Sequence, residues 1–243
     1  MMKTFARIAM GVAVALLLLA HASASPISVD GDDADWASPL TTHDDPNGDV
    51  TNSGYDIDFI YYDYDQAADR LAFMARTVDQ MTHGTSEGGD SVEYVFNSDG
   101  DTGTGDAEWH GCLGADYRMA WDLDGDEYTA YDVTSTSHDL LFYAWNSSSS
   151  DWTGPIDTIA ASDIQIAWGD QGTDFSIIEC TVKPSLIGNP KEFTWGCYLD
   201  NGGTSSDDYA QDDVENGDDV PEPATWLLLT ATAAFGALRR RRT

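Results

Sequence analysis

Two groups of aspartates have the residue types and the spacing that could hold a metal ion. Carboxylate oxygens in glycine-broken loops suit a hard cation, because Ca²⁺ takes about 6–8 oxygens in irregular geometry. Neither group is an EF-hand loop, since Thr102 or Glu127 stands where that loop needs glycine. Ordinary solvated turns are the alternative, because Asp and Gly are also common turn residues. The candidate calcium ligands are Asp99, Asp101 and Asp106 in the first group and Asp122, Asp124 and Asp126 in the second.

Three tryptophans stand in or beside polar loops, where a ring can meet a ligand. Trp109 lies in an Asp/Gly/His stretch, and Trp145 and Trp152 flank a run of four serines. The C–H face of a sugar stacks on a flat ring, so these three are candidate carbohydrate contacts. The alternative is that they are largely buried, as Trp usually is. The remaining tryptophans of the body lie in or beside predicted strands and are assigned to the core: Trp36, Trp121, Trp168 and Trp195.

Patterns typical of catalysis are weak in this chain. A G-x-S-x-G string at residues 84–88 is followed by a predicted strand, whereas a hydrolase nucleophile needs a helix there. The histidines lack the paired spacing of a zinc site. Two glycosidase carboxyls cannot be recognised by spacing among 43 acidic residues. We therefore expect a non-catalytic protein, with a glycosidase as a less favoured alternative.

The segments that must position these residues read as short strands. Residues 56–65 and 70–78 alternate apolar and polar side chains across a short turn, which predicts a β-hairpin. The acidic segment 41–54 reads as a loop, and no long apolar stripe with helical period lies between residues 26 and 219. The predicted fold is all-β, an antiparallel β-sandwich of the jelly-roll or Ig-like kind. Further strands are predicted at residues 91–96, 116–123, 127–133, 140–145, 163–168, 174–182 and 192–199.

Cys180 and Cys197 lie on two predicted strands joined by a short connection. Counting by twos, Cys180 shares a face with Ile178 and Val182, and Cys197 shares one with Trp195 and Leu199. Both thiols therefore point to the core. They form either a disulfide, which export would permit, or two buried free thiols, and Cys112 is left over.

The N-terminus predicts export. Lys3 and Arg7 precede an apolar run at residues 8–20, and Ala22-Ser23-Ala24 is a small-residue cleavage site. Residues 1–24 therefore form a helical secretory signal, which signal peptidase removes. We assign residues 26–200 to the β-sandwich domain and residues 201–219 to an acidic flexible linker.

The C-terminus predicts a membrane segment. Residues 224–238 carry no charge and would give about 22 Å of helix at ~1.5 Å per residue. Four arginines follow at once and favour the cytoplasmic side of a bilayer. A core helix is the alternative, and the acidic run before it and the arginines after it fit that alternative poorly. The segment 220–243 is thus a transmembrane helix at residues 224–238 with an arginine cluster at residues 239–242.

The order of Pro-Glu-Pro, apolar segment and arginines resembles the PEP-CTERM sorting signal. The resemblance implies recognition by a membrane exosortase, removal of the tail near Pro221-Glu222-Pro223, and release to the cell surface or extracellular matrix. It also implies a bacterial exopolysaccharide producer. The residues that carry this signal are Pro221, Glu222, Pro223, Arg239, Arg240, Arg241 and Arg242.

The body resembles family 9 carbohydrate-binding modules and the related DOMON-like sandwiches. Asp30-Gly31-Asp32 with Asp35-Trp36 matches their opening, and Pro184-Ser185 with Gly188 matches a late motif, although Lys183 replaces its usual apolar residue. The resemblance implies a β-sandwich that often holds structural calcium and sometimes binds sugars. Some DOMON domains bind haem through Met and His, and Met74, Met81 and Met119 would be available.

The charge limits the partners. All 43 acidic residues lie between Asp30 and Glu222, where five basic residues oppose them, a formal charge of −38. Such a surface repels nucleic acid and anionic lipid. We expect an exported surface or matrix protein whose body binds polysaccharide, with calcium as a structural cofactor. A ligand-free structural matrix component is the alternative, and a glycosidase or a haem protein is less favoured.

Overall fold

The structure is a computed structural model in which the body of the chain forms β-strands. Among the residues it describes, the only helical elements are two short 3₁₀ turns, at Asp33–Asp35 and Pro184–Ile187. None of these residues belongs to a helix with the length and apolar character needed to cross a bilayer. The predicted signal helix and the predicted helix at residues 224–238 lie outside the description. It covers residues 27–37, 39–50, 54–65, 68–81, 90–122, 131–132, 140–156, 159, 163–171, 174–201 and 207–214.

Twelve strands in this part of the chain form two sheets, and every pair of neighbours within a sheet is antiparallel. Sheet A has the order β1-β2-β3-β10-β9-β6, and sheet B has the order β12-β11-β4-β5-β7-β8. The strands are β1 Thr41–Asp44, β2 Ile57–Asp65, β3 Arg70–Thr77, β4 Asp90–Asn97, β5 Tyr117–Asp122, β6 Tyr131–Asp132, β7 Leu140–Asn146, β8 Asp151–Thr153, β9 Ile164–Gln171, β10 Phe175–Val182, β11 Phe193–Asn201 and β12 Asp208–Val214.

Aromatic side chains from both sheets meet in one core. Phe73 on β3 of sheet A lies 4.7 Å from the ring of Trp195 on β11 and 5.2 Å from that of Phe96 on β4, both in sheet B. All three are fully buried, and each such ring contributes roughly 1.5–3 kcal/mol by leaving water. The two antiparallel sheets thus form a sandwich-like body, as predicted. The four tryptophans assigned to the core are buried: Trp36, Trp121, Trp168 and Trp195.

The predicted hairpin is confirmed as β2 and β3, which pair in register from Asp65↔Arg70 back to a bulge near Ile57. The acidic segment 41–54 was expected to be loop throughout, but it begins with β1, which pairs with β2. The serine run was also expected to be loop, and β8 follows directly after it on the edge of sheet B. Short polar edge strands such as these have no apolar alternation to reveal them.

The proposed linker at residues 201–219 is corrected by β12. Asp208–Val214 pairs with β11 along its whole length and forms an edge of sheet B. Asp208, Ala210 and Val214 are buried while Gln211 and Asp213 are exposed, so the strand alternates as a half-buried strand should. An aspartate occupies one of the inward positions, and this hides the alternation in the sequence. The sandwich therefore extends past residue 200 to Val214.

The first described segment crosses the outer face of sheet A. The backbone N–H of Gly31 and the indole N–H of Trp36 both donate to the Glu179 carboxylate at 2.6 Å. Gly31 has φ +77° and its backbone lies against Gly169, where an added Cβ would sit 2.0 Å from the Gly31 carbonyl oxygen. Glycine at both positions therefore permits this close approach.

Candidate functional site

The three tryptophans predicted to contact sugar come together on the outer face of sheet B. Two of them flank Arg118 of β5, whose guanidinium carbon lies 4.2 Å from the ring centroid of Trp109 and 5.2 Å from that of Trp152. Trp145 completes the row through an edge-to-face contact of 5.4 Å with Trp152. We call this surface the aromatic–arginine face, and it consists of Trp109, Arg118, Tyr143, Trp145 and Trp152.

Strand register explains most of this face. Arg118 on β5 pairs with Tyr143 on β7, and Trp145 pairs with Trp152 on β8. Opposite residues of an antiparallel pair point to the same face, so all four side chains leave the sheet on the solvent side. The Tyr143 ring also lies under the Arg118 guanidinium, at 4.2 Å. Sequence reasoning missed Arg118 and Tyr143, because their proximity depends on which strands pair.

Trp109 reaches the face from the loop between β4 and β5. Two isolated bridges, Asp106↔Ala115 and Trp109↔Cys112, fold this loop back on itself. Cys112 and Ala115 pack on Val95 of β4 in a small cluster of buried residues, and Trp109, Trp152 and Tyr209 pack around its margin. The loop is therefore a cover on sheet B, and Trp109 is held at its margin.

Buried or partly buried carboxylates fix the orientation of the rings. The Trp109 indole N–H donates to Glu93 Oε2 at 2.7 Å, and Arg118 Nη1 donates to Glu93 Oε1 at 3.3 Å. The Trp152 indole N–H donates to Asp106 Oδ2 at 3.1 Å. Because Glu93 is almost fully buried, its charge and that of Arg118 neutralise each other beneath the rings.

His110 extends the aromatic surface toward β11. Its ring stacks on Tyr198 at 3.7 Å with an interplanar angle of 12°, and its Nε2 lies 3.7 Å from Glu93 Oε2. Burial lowers the pKa of His110, against the opposing effect of Glu93. A neutral imidazole stacked on a phenol adds a further flat, weakly charged area beside Trp109.

The first group of predicted calcium ligands uses its oxygens in local turns. Asp99 accepts from Asp101 N and Thr104 Oγ1, and Asp101 accepts from Gly103 N. Asp106 accepts from Glu108 N and from Trp152. These bonds fit the turn alternative that the sequence left open, and calcium binding by this group stays a prediction. Of the second group, the side chain of Asp122 and the residues Asp124 and Asp126 lie outside the description, so calcium there stays a prediction.

Within the described ranges, carboxylates gather at a different place. One oxygen each of Asp45, Asp49 and Asp208 lies within 4.8 Å of the others. Burial, followed by the nearby Asp208 and Asp49 charges, raises the pKa of Asp45 to about 7. Burial likewise raises the pKa of Asp208 to about 6, against two backbone N–H donors. This cluster was missed because its parts lie in segments read as a loop and a linker.

All three cysteines are free and buried. Cys180 and Cys197 face the core as predicted. They are free thiols in the structure, which is the second of the two alternatives, and the Cys180–Cys197 bridge stays a prediction. The connection between β10 and β11 crosses from sheet A to sheet B, so the thiols belong to opposite sheets. The Cys180 sulfur contacts the Met119 sulfur at 3.9 Å.

Comparison with known protein families identifies a sorting motif at the C-terminus. Residues 219–242 match the family model of the PEP-CTERM protein-sorting motif. The match spans Pro221-Glu222-Pro223, the apolar residues 224–238 and Arg239 to Arg242, and it confirms the predicted sorting signal. The motif implies that the protein is exported, anchored transiently in the membrane and processed by an exosortase. No curated protein and no solved structure matched the chain, so the likeness of its body to family 9 carbohydrate-binding modules stays a prediction.

Proposed function

We propose that this chain is a non-catalytic cell-surface or extracellular-matrix protein whose body binds neutral polysaccharide on the aromatic–arginine face. One observation supports the proposal most: Trp109, Tyr143 and Trp152 lie around Arg118 on the solvent side of one sheet, and Trp145 extends the group through Trp152. Ring faces grouped in this way are the lining that ligand sites favour. The sorting motif supports the location, since it directs the chain out of the cell.

The rings are fixed in place before any ligand arrives, and this favours binding. Trp109 and Trp152 each donate an indole N–H to a carboxylate, and both rings are half-buried. Side chains that are already ordered lose little conformational entropy when a ligand arrives, so more of the contact energy appears as affinity. The sugar would meet ring faces and the edge of the Arg118 guanidinium.

The charge of the protein selects the class of polysaccharide. The formal net charge is −32, and the charge of Arg118 within the face is offset by Glu93. An anionic polymer would be repelled at long range without a local positive patch to compensate. We therefore assign neutral polysaccharide as the ligand.

A ligand-free structural role is the second candidate, and one specific observation favours it. The indole N–H groups of Trp109 and Trp152 are satisfied inside the protein, and both rings pack against Val95, Cys112 and Ala115. Rings that serve only to cover sheet B would look the same. The two candidates therefore differ in whether the exposed side of these rings binds anything.

Binding of the purified full-length chain, held in mild detergent, to immobilised polysaccharides decides between them. The panel contains neutral glucans, galactomannan and xylan together with anionic alginate, each with calcium and with a chelator. We expect retention on at least one neutral polymer and none on alginate. Absence of retention on every polymer in both conditions would overturn the proposal and leave the structural role.

A pair of variants tests whether polysaccharide binds at the aromatic–arginine face. Trp145→Ala removes a ring from the aromatic–arginine face, and we expect at least tenfold weaker binding. Phe59→Ala is the matched control, because Phe59 lies 4.6 Å under Arg76 on the outer face of sheet A. Equal loss in both variants, or none in Trp145→Ala, would exclude the aromatic–arginine face as the site.

A further inference from the structure

We propose that Asp45, Asp49 and Asp208, beside the buried Asp56, form a calcium site that fixes β12, the last strand the structure describes, to the loop between β1 and β2. This site is separate from the aromatic–arginine face and from the aspartate groups at residues 99–106 and 122–126. It does not depend on the proposed binding of polysaccharide.

The spacing of the ligand atoms fits one calcium ion. Oxygens of Asp45, Asp49 and Asp208 lie within 4.8 Å of one another. Calcium binds oxygen at about 2.3–2.6 Å, so two ligands of a single ion stand at most about 5 Å apart. Asp208 has thus converged with two aspartates of a loop more than 150 residues earlier to the separation that one ion requires.

Two buried carboxylate oxygens at this place have no donor in the described part of the chain. Asp56 is 1% exposed, and its Oδ1 lacks a hydrogen-bond partner. Its other oxygen accepts from Gly48 N at 2.7 Å, which holds Asp56 against the loop that carries Asp45 and Asp49. Asp45 Oδ2 is also buried without a partner. Buried carboxylate oxygens are ordinarily paired or bound to a metal, so these two point to a missing cation.

The charges that act on the cluster are all negative. Asp44, Asp49, Asp56 and Asp208 each raise the pKa of Asp45, and no basic group is among its principal influences. Asp58, whose charge acts on Asp56, is itself paired with Arg76. Carboxylates brought together without a counter-charge repel each other, and a divalent cation removes that repulsion.

The donor set favours calcium among the divalent cations. Every side-chain ligand is a carboxylate oxygen, which suits hard cations rather than zinc or copper. Magnesium demands near-ideal octahedral geometry and retains most of its waters, whereas calcium accepts irregular loops and more ligands. A loop containing Pro46, Asn47 and Gly48 between two ligands provides such irregular geometry.

Asp208 places the proposed calcium ion at a contact between the two sheets. Asp208 begins β12 of sheet B, and its Oδ2 accepts the backbone N–H of Ile57 on β2 of sheet A at 2.6 Å. Thr41 on β1 donates to Asp212 on β12 at 2.7 Å. An ion shared by Asp45, Asp49 and Asp208 would add a third connection between β12 and the β1–β2 end of sheet A. Calcium would therefore stabilise the contact between the two sheets at this edge.

Calorimetric titration of the full-length chain with CaCl₂ and with MgCl₂ tests the site, with hydrogen exchange of β12 as a structural readout. We expect saturable calcium binding, at least tenfold weaker magnesium binding, and slower exchange at residues 208–214 when calcium is present. Equal affinity for both ions, or no effect of calcium on these amides, would overturn the proposal.

Two pairs of substitutions locate the ion. Asp45→Asn with Asp49→Asn removes two ligand charges and also relieves their repulsion, so we expect the variant to fold in chelator but to bind calcium at least tenfold more weakly. Asp99→Asn with Asp101→Asn is the matched control in another acidic loop, and it should bind like the native chain. Loss of binding in the control alone would move the site to residues 99–106 and refute this assignment.

Discussion

Trp36 donates its indole N–H to Glu179 Oε1 at 2.6 Å, and this bond joins the start of the described chain to the centre of sheet A. Glu179 also accepts the backbone N–H groups of Asp30 and Gly31. Three donors favour its ionised form, but burial acts more strongly and raises its pKa to about 7. The attachment of the N-terminal segment therefore depends on a carboxyl that titrates near neutrality.

This relationship predicts a pH dependence of stability. Because the pKa of Glu179 rises from 4.5 unfolded to about 7 folded, the folded state binds more protons between these values. Its contribution is complete below pH 4.5 and is lost as pH rises through 7, an effect of about 3 kcal/mol. Urea unfolding of Glu179→Gln should give a flatter profile across this range. Glu192→Gln, at an exposed site, should retain the native profile, and identical profiles for all three proteins would contradict the prediction.

Glu93 is predicted to stabilise the cover on sheet B. Its carboxylate accepts from Trp109 and Arg118, so Glu93→Ala leaves a partly buried guanidinium and an indole N–H without their partner. We expect a loss of about 2–4 kcal/mol in the free energy of unfolding and a red shift in tryptophan emission. Exposed Glu108→Ala should change stability by less than about 0.5 kcal/mol. A Glu93→Ala variant as stable as this control would show that the ion pair contributes little.

The burial of the three cysteines predicts how they react with an alkylating reagent. Burial raises the pKa of Cys112 to about 11 and raises those of Cys180 and Cys197 as well, so each thiol is protonated and protected in the folded protein. Alkylation requires the thiolate. Iodoacetamide followed by intact mass measurement should add no groups to the native protein and three after denaturation without reductant. One group after denaturation, rising to three after reduction, would instead reveal a disulfide.

The sorting motif predicts two processed ends. Intact mass of the protein recovered outside an exosortase-producing cell should lack the signal at residues 1–24 and the tail that follows Pro221-Glu222-Pro223. Replacing these three residues with alanine should leave the protein in the membrane fraction with its tail attached. Replacing Pro184 and Ser185, which form a turn in the body, should not affect tail removal. Normal release of the triple-alanine variant would contradict exosortase processing.

Features encoded by neighbouring residues could be predicted from the sequence. The alternation in β3 and β10 identifies the inward positions, including Cys180 beside Ile178 and Val182. In β2 the prediction that Ile57, Phe59 and Tyr61 share a face is wrong, because a bulge after Ile57 turns Ile60 and Tyr62 into the core instead. The sorting motif is linear and needs no fold to be recognised. For the same reason the burial of Trp195 and Trp168 followed from their strands.

Features that depend on strand pairing could not be predicted. Arg118 meets Trp109 and Tyr143 because β5 lies between β4 and β7, an order that local sequence does not encode. Asp45 and Asp208 meet because β12 returns to the edge near β1 and β2. Acidic residues at inward positions are rare, so the pattern of β12 resembled a linker until its partner strand was known.

The end of β12 at Val214 also sets how far the body can stand from the lipid. Nine residues separate Val214 from Ala224, where the apolar tail begins. Even fully extended, they span at most about 30 Å. A body attached by so short a tether would be confined beside the bilayer. Only cutting the tail would let the body leave the membrane surface, so proteolysis would control how far from the bilayer the body can act.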